Sequence, residues 1–457
     1  MNHMIQYYLP VLLLTVGLVV CLLFVVANAV PFGQYLGSES SFNGTNWAVL
    51  CAGSNTWDNY RHQADLYHAY QVIKAHGIPE DNIIVMHFDD IANNKENPTP
   101  GVVINKPKGP DVYKGVPKHY TGNDVTPQNF LGVLRGDELL ARDGKKVLKS
   151  GPNDHVFVYF VDHGSPDLIQ FPKTYLHGEE LAKELIAMHK NNKFAKLVFY
   201  IEACYSGSMF ETLLPKDINV YVATSSGPNE SSYLCWDVPK LGYLSDPYTA
   251  AWLYNSEHKD LTKETLQDQY NFIADVINKS DEHDEQHSHQ YGDLSIAKLP
   301  VVLPAPTPVS NENCKAIPSD EAVIHLIQKR IEATNDVHEK HSLLKQLSEI
   351  LKGRQFVNNF LNQYVDSIKH LTHMDTNAIL TTKQDLTNRP CYRRFVDTFH
   401  QKCFNINQHT YAFNKLNTFV NICQQLTDSN DVTIAVEHLE MSCTKLGTRQ
   451  AHFEAIL

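Results

Sequence analysis

Five runs of strand length, Trp47–Ala52, Ile83–Phe88, Val156–Val161, Leu197–Ile201 and Ile218–Ala223, are rich in Val, Ile, Phe and Tyr and mostly apolar on both faces. A sheet with one wet face alternates apolar and polar residues, so runs without alternation belong to strands covered on both sides. Between them lie stretches with helical signals. His62–His76 stops at Gly77, a C-capping residue, and Glu179–Lys190 sets Leu181, Leu185, Ile186 and Met188 among charges. Buried strands alternating with helices predict an α/β fold, a mostly parallel sheet flanked by helices, from about Trp47 to Leu299. Asn93–Asn129 interrupts it as a long irregular insertion, of a length that is usually functional or mobile. Leu299–Pro318, with Pro300, Pro304, Pro306, Pro308 and Pro318, has the composition of a linker.

Beyond the linker the period changes. Leu343, Leu344, Leu347, Ile350 and Leu351 recur at helical spacing, as do Phe356, Val357, Phe360, Leu361, Tyr364, Val365 and Ile368, so the C-terminal region is expected to be an α-helical bundle. Cys391, Cys403, Cys423 and Cys443 crowd into it. In an exported chain such a cluster reads as two disulfides with three possible pairings; free core thiols are the alternative. Export is expected from residues 1–29, where the hydrocarbon run Val11–Val26 precedes the small-x-small triplet Ala27-Asn28-Ala29. A retained signal anchor is the alternative, because no Lys or Arg leads the run and its length approaches the ~20 residues that span a bilayer. Sequons at Asn43, Asn229 and Asn278 accord with export. The net charge of -12 argues against nucleic-acid binding.

Two of the buried strands run into unusual residues. Val156–Val161 leads to Asp162-His163-Gly164, and Leu197–Ile201 leads to Glu202-Ala203-Cys204-Tyr205-Ser206-Gly207. Ligands of an open parallel sheet bind beyond the carboxyl ends of its strands, so a His and a Cys are presented side by side on that edge. A thiol with a pKa of ~8.5 is only slightly ionised at neutral pH. An imidazole can take its proton, hold the thiolate for attack on a peptide carbonyl and then protonate the leaving amine. The backbone N–H groups of Gly164 and Cys204 are the natural donors to the oxyanion. Zinc is the competing chemistry, but the sequence has no CxxC pair and no HExxH helix. No metal and no cofactor are expected.

A histidine upstream of Glu202-Ala203-Cys204-Tyr205-Ser206-Gly207 follows the order of the caspase signature. The fuller resemblance is to the legumain family, the asparaginyl endopeptidases. It rests on Ala52-Gly53-Ser54-Asn55, Tyr60-Arg61-His62-Gln63-Ala64-Asp65, Asp89-Asp90-Ile91-Ala92, Asn97-Pro98-Thr99-Pro100-Gly101, Tyr120-Thr121-Gly122 and Val125–Phe130. The resemblance implies a caspase-like peptidase domain at 30–299, a linker and activation segment at 300–335, and a helical prodomain at 336–457. It implies the dyad His163 and Cys204, with Asn59 orienting the histidine. Arg61, Glu202 and Asp246 become the walls of a pocket for the substrate side chain, and Ser231 and Ser232 line the cleft. A guanidinium and two carboxylates suit a carboxamide, which has one acceptor and two donors. A structural ion pair is the alternative for Arg61 and Asp246. The disulfides implied are Cys391–Cys423 and Cys403–Cys443.

The expectation is therefore a cysteine endopeptidase cutting after asparagine, and after aspartate in acid, made as a zymogen whose prodomain inhibits it. Its partners are protein and peptide substrates, with cystatin-type inhibitors possible for such a family. Acid is expected to release the tail, whose eight histidines gain charge as carboxylates lose theirs, and to permit cleavage after Asn335. Lysosome, vacuole and an extracellular space such as a gut lumen all fit. A transpeptidase using the same acyl-enzyme is the second reading, and an adhesion protein displaying Arg135-Gly136-Asp137 the third. Tyr205 stands where some family members have an acidic residue. Cys51 is read as core, Cys235 as a free thiol near the cleft, and Cys314 has no obvious partner.

Overall fold

The structure, a computed structural model, describes residues 43–280, 286–301 and 316–453. The expected signal segment 1–29 and Cys314 lie outside the described residues. The central sheet contains β1 (Asn46–Ala52), β2 (Ile83–Met86), β3 (His155–Val161), β7 (Lys196–Glu202), β8 (Val220–Thr224) and β11 (His289–Gly292). Its order is β11-β8-β7-β3-β1-β2, parallel throughout except at β11. Alternate side chains of β1 enter two separate cores. Ala48, Leu50 and Ala52 face helices Tyr60–Ala75 (α1), Pro247–His258 and Leu266–Ser280, whereas Val49 and the core thiol Cys51 face Phe130, Leu181 and Leu185. This double coverage is what the unalternating runs required.

The insertion is irregular, as expected, and much of it is packed down. Val103, Val112, Val116 and Tyr120 are buried, Tyr120 bridges to Met86, and Asn97 Nδ2 ties down the carbonyls of Ile91, Ala92 and Val102. Its length is spent covering the sheet edge beyond β2, and it ends early, because Thr126 caps a helix at Pro127–Arg135. Asn219, in the left-handed region at φ 54°, turns the chain so that β8 begins at Val220. Three short strands, β4 (Gly164–Ser165), β5 (Leu168–Phe171) and β6 (Thr174–His177), form an antiparallel sheet after β3.

The stretch expected as linker and activation segment is partly ordered. β9 (Tyr233–Val238) pairs with β10 (Gly242–Ser245) on one side and with β12 (Ile317–Pro318) on the other. A helix at Ala322–Ala333 follows β12. The C-terminal bundle runs from the helix Val337–Ser367 to the helix Ser429–Phe453, around Val357, Phe360, Tyr364, Phe395, Phe399 and Phe419. Its disulfides are Cys391–Cys423 and Cys403–Cys443, the pairing implied by the resemblance. Leu168 of β5 belongs to the same apolar cluster, so the bundle sits on the small sheet.

Candidate active site

β3 and β7 pair with Val161 opposite Glu202, and the N–H of Asp162 donates to the Glu202 carbonyl (3.1 Å). His163 and Cys204 therefore leave the sheet from adjacent strands. The glycine after His163 is obligatory: a Cβ on Gly164 would lie 1.9 Å from the Cys204 carbonyl oxygen. After the cysteine, Tyr205 adopts φ 56°, a left-handed conformation costing a non-glycine residue about 1–2 kcal/mol. Its N–H donates to the Glu230 carbonyl (2.7 Å), and its carbonyl accepts from Ser208 N (2.9 Å) and Oγ (2.6 Å). These bonds hold the turn that lifts Cys204 off the strand.

Asn59 sits at the entrance to α1. Its Nδ2 donates to the Asn55 carbonyl (3.0 Å), which leaves Oδ1 to accept from His163 Nε2 (2.8 Å). That bond places the proton on Nε2 and leaves Nδ1 free as a base. Burial, with Arg61 nearby, lowers the His163 imidazole to about 3, and burial pushes the Cys204 thiol up. Both shifts favour the uncharged forms of the pair. The thiol is covered: Ser319 Oγ lies 3.0 Å from Cys204 Sγ, and Ser232 N donates to the sulfur at 3.2 Å. Ser319 arrives there because β12 extends along β9 and Ser319 N donates to the Ser232 carbonyl (3.1 Å).

Arg61 Nε donates to Asp246 Oδ1 (2.9 Å), so the ion pair weighed as a structural alternative does form. The other polar valences of the pocket stay open. Asp246 Oδ2 and both oxygens of Glu202 are buried without a hydrogen-bond partner; Ser225 and Ser232 approach Glu202 without closing one. Burial, then Asp246, pushes the Glu202 carboxyl well above its usual range. Ser231 reaches the Tyr205 hydroxyl, which places that residue beside the cleft.

His62, Asp162 and His163 each bring an atom of metal-ligand type within 4.8 Å of the others. His163 Nε2 is committed to Asn59, and His62 Nδ1 lies 2.8 Å from Ser54 Oγ and 3.3 Å from Asp162. One ring nitrogen of each histidine is thus held by an orienting hydrogen bond, and His163 Nδ1 stays open. Cys235 requires a correction: it is disulfide-bonded, not a free thiol, and lies fully buried in β9 behind the cleft wall. Arg135-Gly136-Asp137 forms a corner between two helices. Arg135 pairs with Glu184 (2.9 Å), and Asp137 caps the next helix through Leu139 N (2.8 Å). Asn335 lies exposed between the helices Ala322–Ala333 and Val337–Ser367.

Sequence reasoning missed Ser319 and Asp65. Pro318 reads as linker, and only the pairing of β12 with β9 brings its neighbour to the thiol. Asp65 stood inside a quoted motif, one helical turn from Arg61, and that spacing was the available signal.

The Peptidase C13 family matches residues 46–307, and the legumain prodomain matches residues 345–440. Legumain of Rattus norvegicus is 41% identical over 430 residues, covering 91% of this chain and 96% of its own. Hemoglobinase of Schistosoma japonicum is 39% identical over 390 residues (83% and 89%), and the vacuolar-processing enzyme of Vicia sativa is 38% identical over 416 (84% and 84%). The chain belongs to the Peptidase C13 family and is an asparaginyl cysteine endopeptidase carrying a legumain prodomain.

Proposed function

We propose that Cys204 attacks the peptide carbonyl that follows an asparagine side chain seated between Arg61, Glu202 and Asp246. Cys204 gives its proton to Nδ1 of His163, whose ring Asn59 holds by Nε2, and the imidazolium then protonates the departing amine. The N–H groups of Gly164 and Cys204 receive the oxyanion. Water releases the acyl-enzyme by the same route in reverse. The observation that carries this reading is the set of open acceptors on Glu202 and Asp246, buried beside a guanidinium. A carboxamide supplies the missing donors, and its oxygen faces Arg61. Cleavage of an Asn-containing fluorogenic peptide by the acid-treated chain, absent from a folded Cys204→Ala variant, is the test. Cleavage led by Arg, Lys or Leu would refute the pocket.

The intact chain is read as a zymogen. Ser319 covers the nucleophile, and the bundle packs on the small sheet through Leu168, with Arg389 on Asp167 (2.9 Å) and Arg393 on Glu180 (2.6 Å). Acid is proposed to loosen these pairs, with cleavage after the exposed Asn335 separating the prodomain. An acidic compartment of the secretory pathway, lysosomal or vacuolar, or an acidic extracellular space, supplies that condition. Among the described residues no helix is long and apolar enough to cross a membrane.

A further inference from the structure

Behind the pocket wall lies a carboxyl with no part in the reaction so far described. Asp65 is fully buried on α1, one turn after Arg61. Its Oδ1 accepts from Ser245 Oγ (2.5 Å) and Asn105 Nδ2 (2.6 Å), and its Oδ2 from the backbone N–H of Asp246 (3.3 Å). Asn105 cannot turn away, because Nδ2 also donates to the Leu244 carbonyl (2.8 Å) and Oδ1 faces His68 Nδ1 (2.8 Å). His68 is held in turn by Glu257 (2.9 Å) at the protein surface. The chain of contacts fixes Asp65 against the Asp246 side chain.

The charge balance of this region is uneven. Asp65, Asp162, Glu202 and Asp246 are four carboxyls, none more than 2% exposed, around the single guanidinium of Arg61. Burial, then Arg61 and His163, keeps His62 neutral, and the Tyr159 hydroxyl facing Asp65 from β3 offers no positive charge. Four like charges against one opposite charge are not sustained away from water, so the cluster binds protons. Burial, then Asp246, pushes Asp65 well above the usual carboxylate range.

We propose that Asp65 is a specificity-determining residue: its charge sets the pH below which the pocket accepts an aspartate side chain as well as an asparagine. The inference rests on the reading of Arg61, Glu202 and Asp246 given above. A carboxamide is neutral and enters largely regardless of the charge behind the wall. A carboxylate adds a further negative group and enters only once the cluster has taken up protons. Protonation of Asp65 removes one of the opposing charges, and an asparagine at position 65 reproduces that neutral form at every pH.

The experiment is the pH profile of kcat/KM for paired Asn and Asp peptides on the activated enzyme. In Asp65→Asn the Asp profile should extend toward neutral pH by about one unit, roughly tenfold in kcat/KM at fixed pH. The Asn profile should stay near wild type. Ser245→Ala removes a donor that favours ionised Asp65, so it should move the Asp limb the same way by less; it is the decisive variant should Asp65→Asn fail to fold. An Asp-to-Asn ratio that keeps its wild-type pH dependence in the folded variants, or moves toward acid, overturns the proposal. A wild-type enzyme that does not cleave after Asn overturns the pocket reading itself, which the wild-type arm reveals separately.

Discussion

A single methyl group tests the geometry of the dyad. Gly164→Ala would put a carbon 1.9 Å from the Cys204 carbonyl oxygen, a backbone atom at the end of a paired strand. The clash is relieved only by separating the ends of β3 and β7, and a misplacement of ~1 Å at a reacting centre costs on the order of a hundredfold. Gly164→Ala should lose at least that much kcat, or fall markedly in Tm; full turnover by a stable variant would show that the two strand ends need not meet so closely. Asp137 makes the opposite case. It caps a helix remote from Cys204, so Asp137→Ala should lower stability by about 0.5–2 kcal/mol in a denaturant titration, leaving turnover unchanged. The aspartate of Arg135-Gly136-Asp137 makes that cap and its arginine pairs with Glu184, so each has a structural role of its own.

At the scale of elements, the zymogen reading turns on a two-residue strand. β12 is anchored by Ile317, which packs against Leu234, Tyr243 and Ala322, and by its pairing with β9. Ile317→Asp places a charge among these side chains and should detach the strand. Alkylation of Cys204 in the intact chain at neutral pH should then accelerate at least tenfold, whereas Ser319→Ala, which leaves β12 in place, should change it only a few-fold. Equal rates in wild type and Ile317→Asp would mean that β12 does not guard the thiol. This strand also marks the limit of what the sequence discloses. The runs from Trp47 to Ala223 were legible because burial on both faces leaves an unalternating pattern, and the placing of His163 and Cys204 at neighbouring strand ends was legible because each follows such a run. β12 has no pattern: two residues, one a proline, pair only because β9 offers a free edge. The hairpin β9–β10 was harder to read, since Trp236 and Lys240 take positive φ and only Gly242 gives the turn a glycine signal. The pocket became readable only through the family resemblance, because Arg61 and Asp246 lie 185 residues apart and meet only in the fold.

Across the whole molecule, the contact between bundle and peptidase domain is where the proposed acid release would act. Residues 336–457 hold 13 Lys and Arg against 12 Asp and Glu, so their docking on an acidic domain depends on particular pairs. Arg393–Glu180 is half-exposed and worth about 0–1 kcal/mol. Arg389–Asp167 is nearly buried, and Arg389 also reaches Thr212 Oγ1 (2.7 Å) and the Ser208 carbonyl (3.0 Å); removing one partner of such a pair costs about 3–5 kcal/mol. His177 stands between Asp167 (3.4 Å) and Asp397 (3.9 Å). Burial opposes its charge, but the two carboxylates outweigh burial and raise its pKa. Its contribution to docking is complete below the ordinary histidine value of ~6.5 and fades as pH rises through the raised value, so weak acid strengthens this contact. Asp397 has the opposite sign. Burial raises it, but bonds from His177 and Tyr175 hold it below its usual value, so its contribution is lost as pH falls through that lowered value. Of the two effects expected of acid, carboxylate discharge and histidine charging, we propose that the first is the trigger at this contact, because charging of His177 on the peptidase side acts the other way. In an inert Cys204→Ala background, hydrogen exchange along Arg389–Thr398 should stay protected down to about pH 5 and open in the carboxylate range below it. Arg389→Ala and His177→Gln should each move the opening to higher pH, the former by more. Opening of the parent chain near pH 6–7, with His177→Gln holding the bundle closed to lower pH, would return the trigger to the histidine.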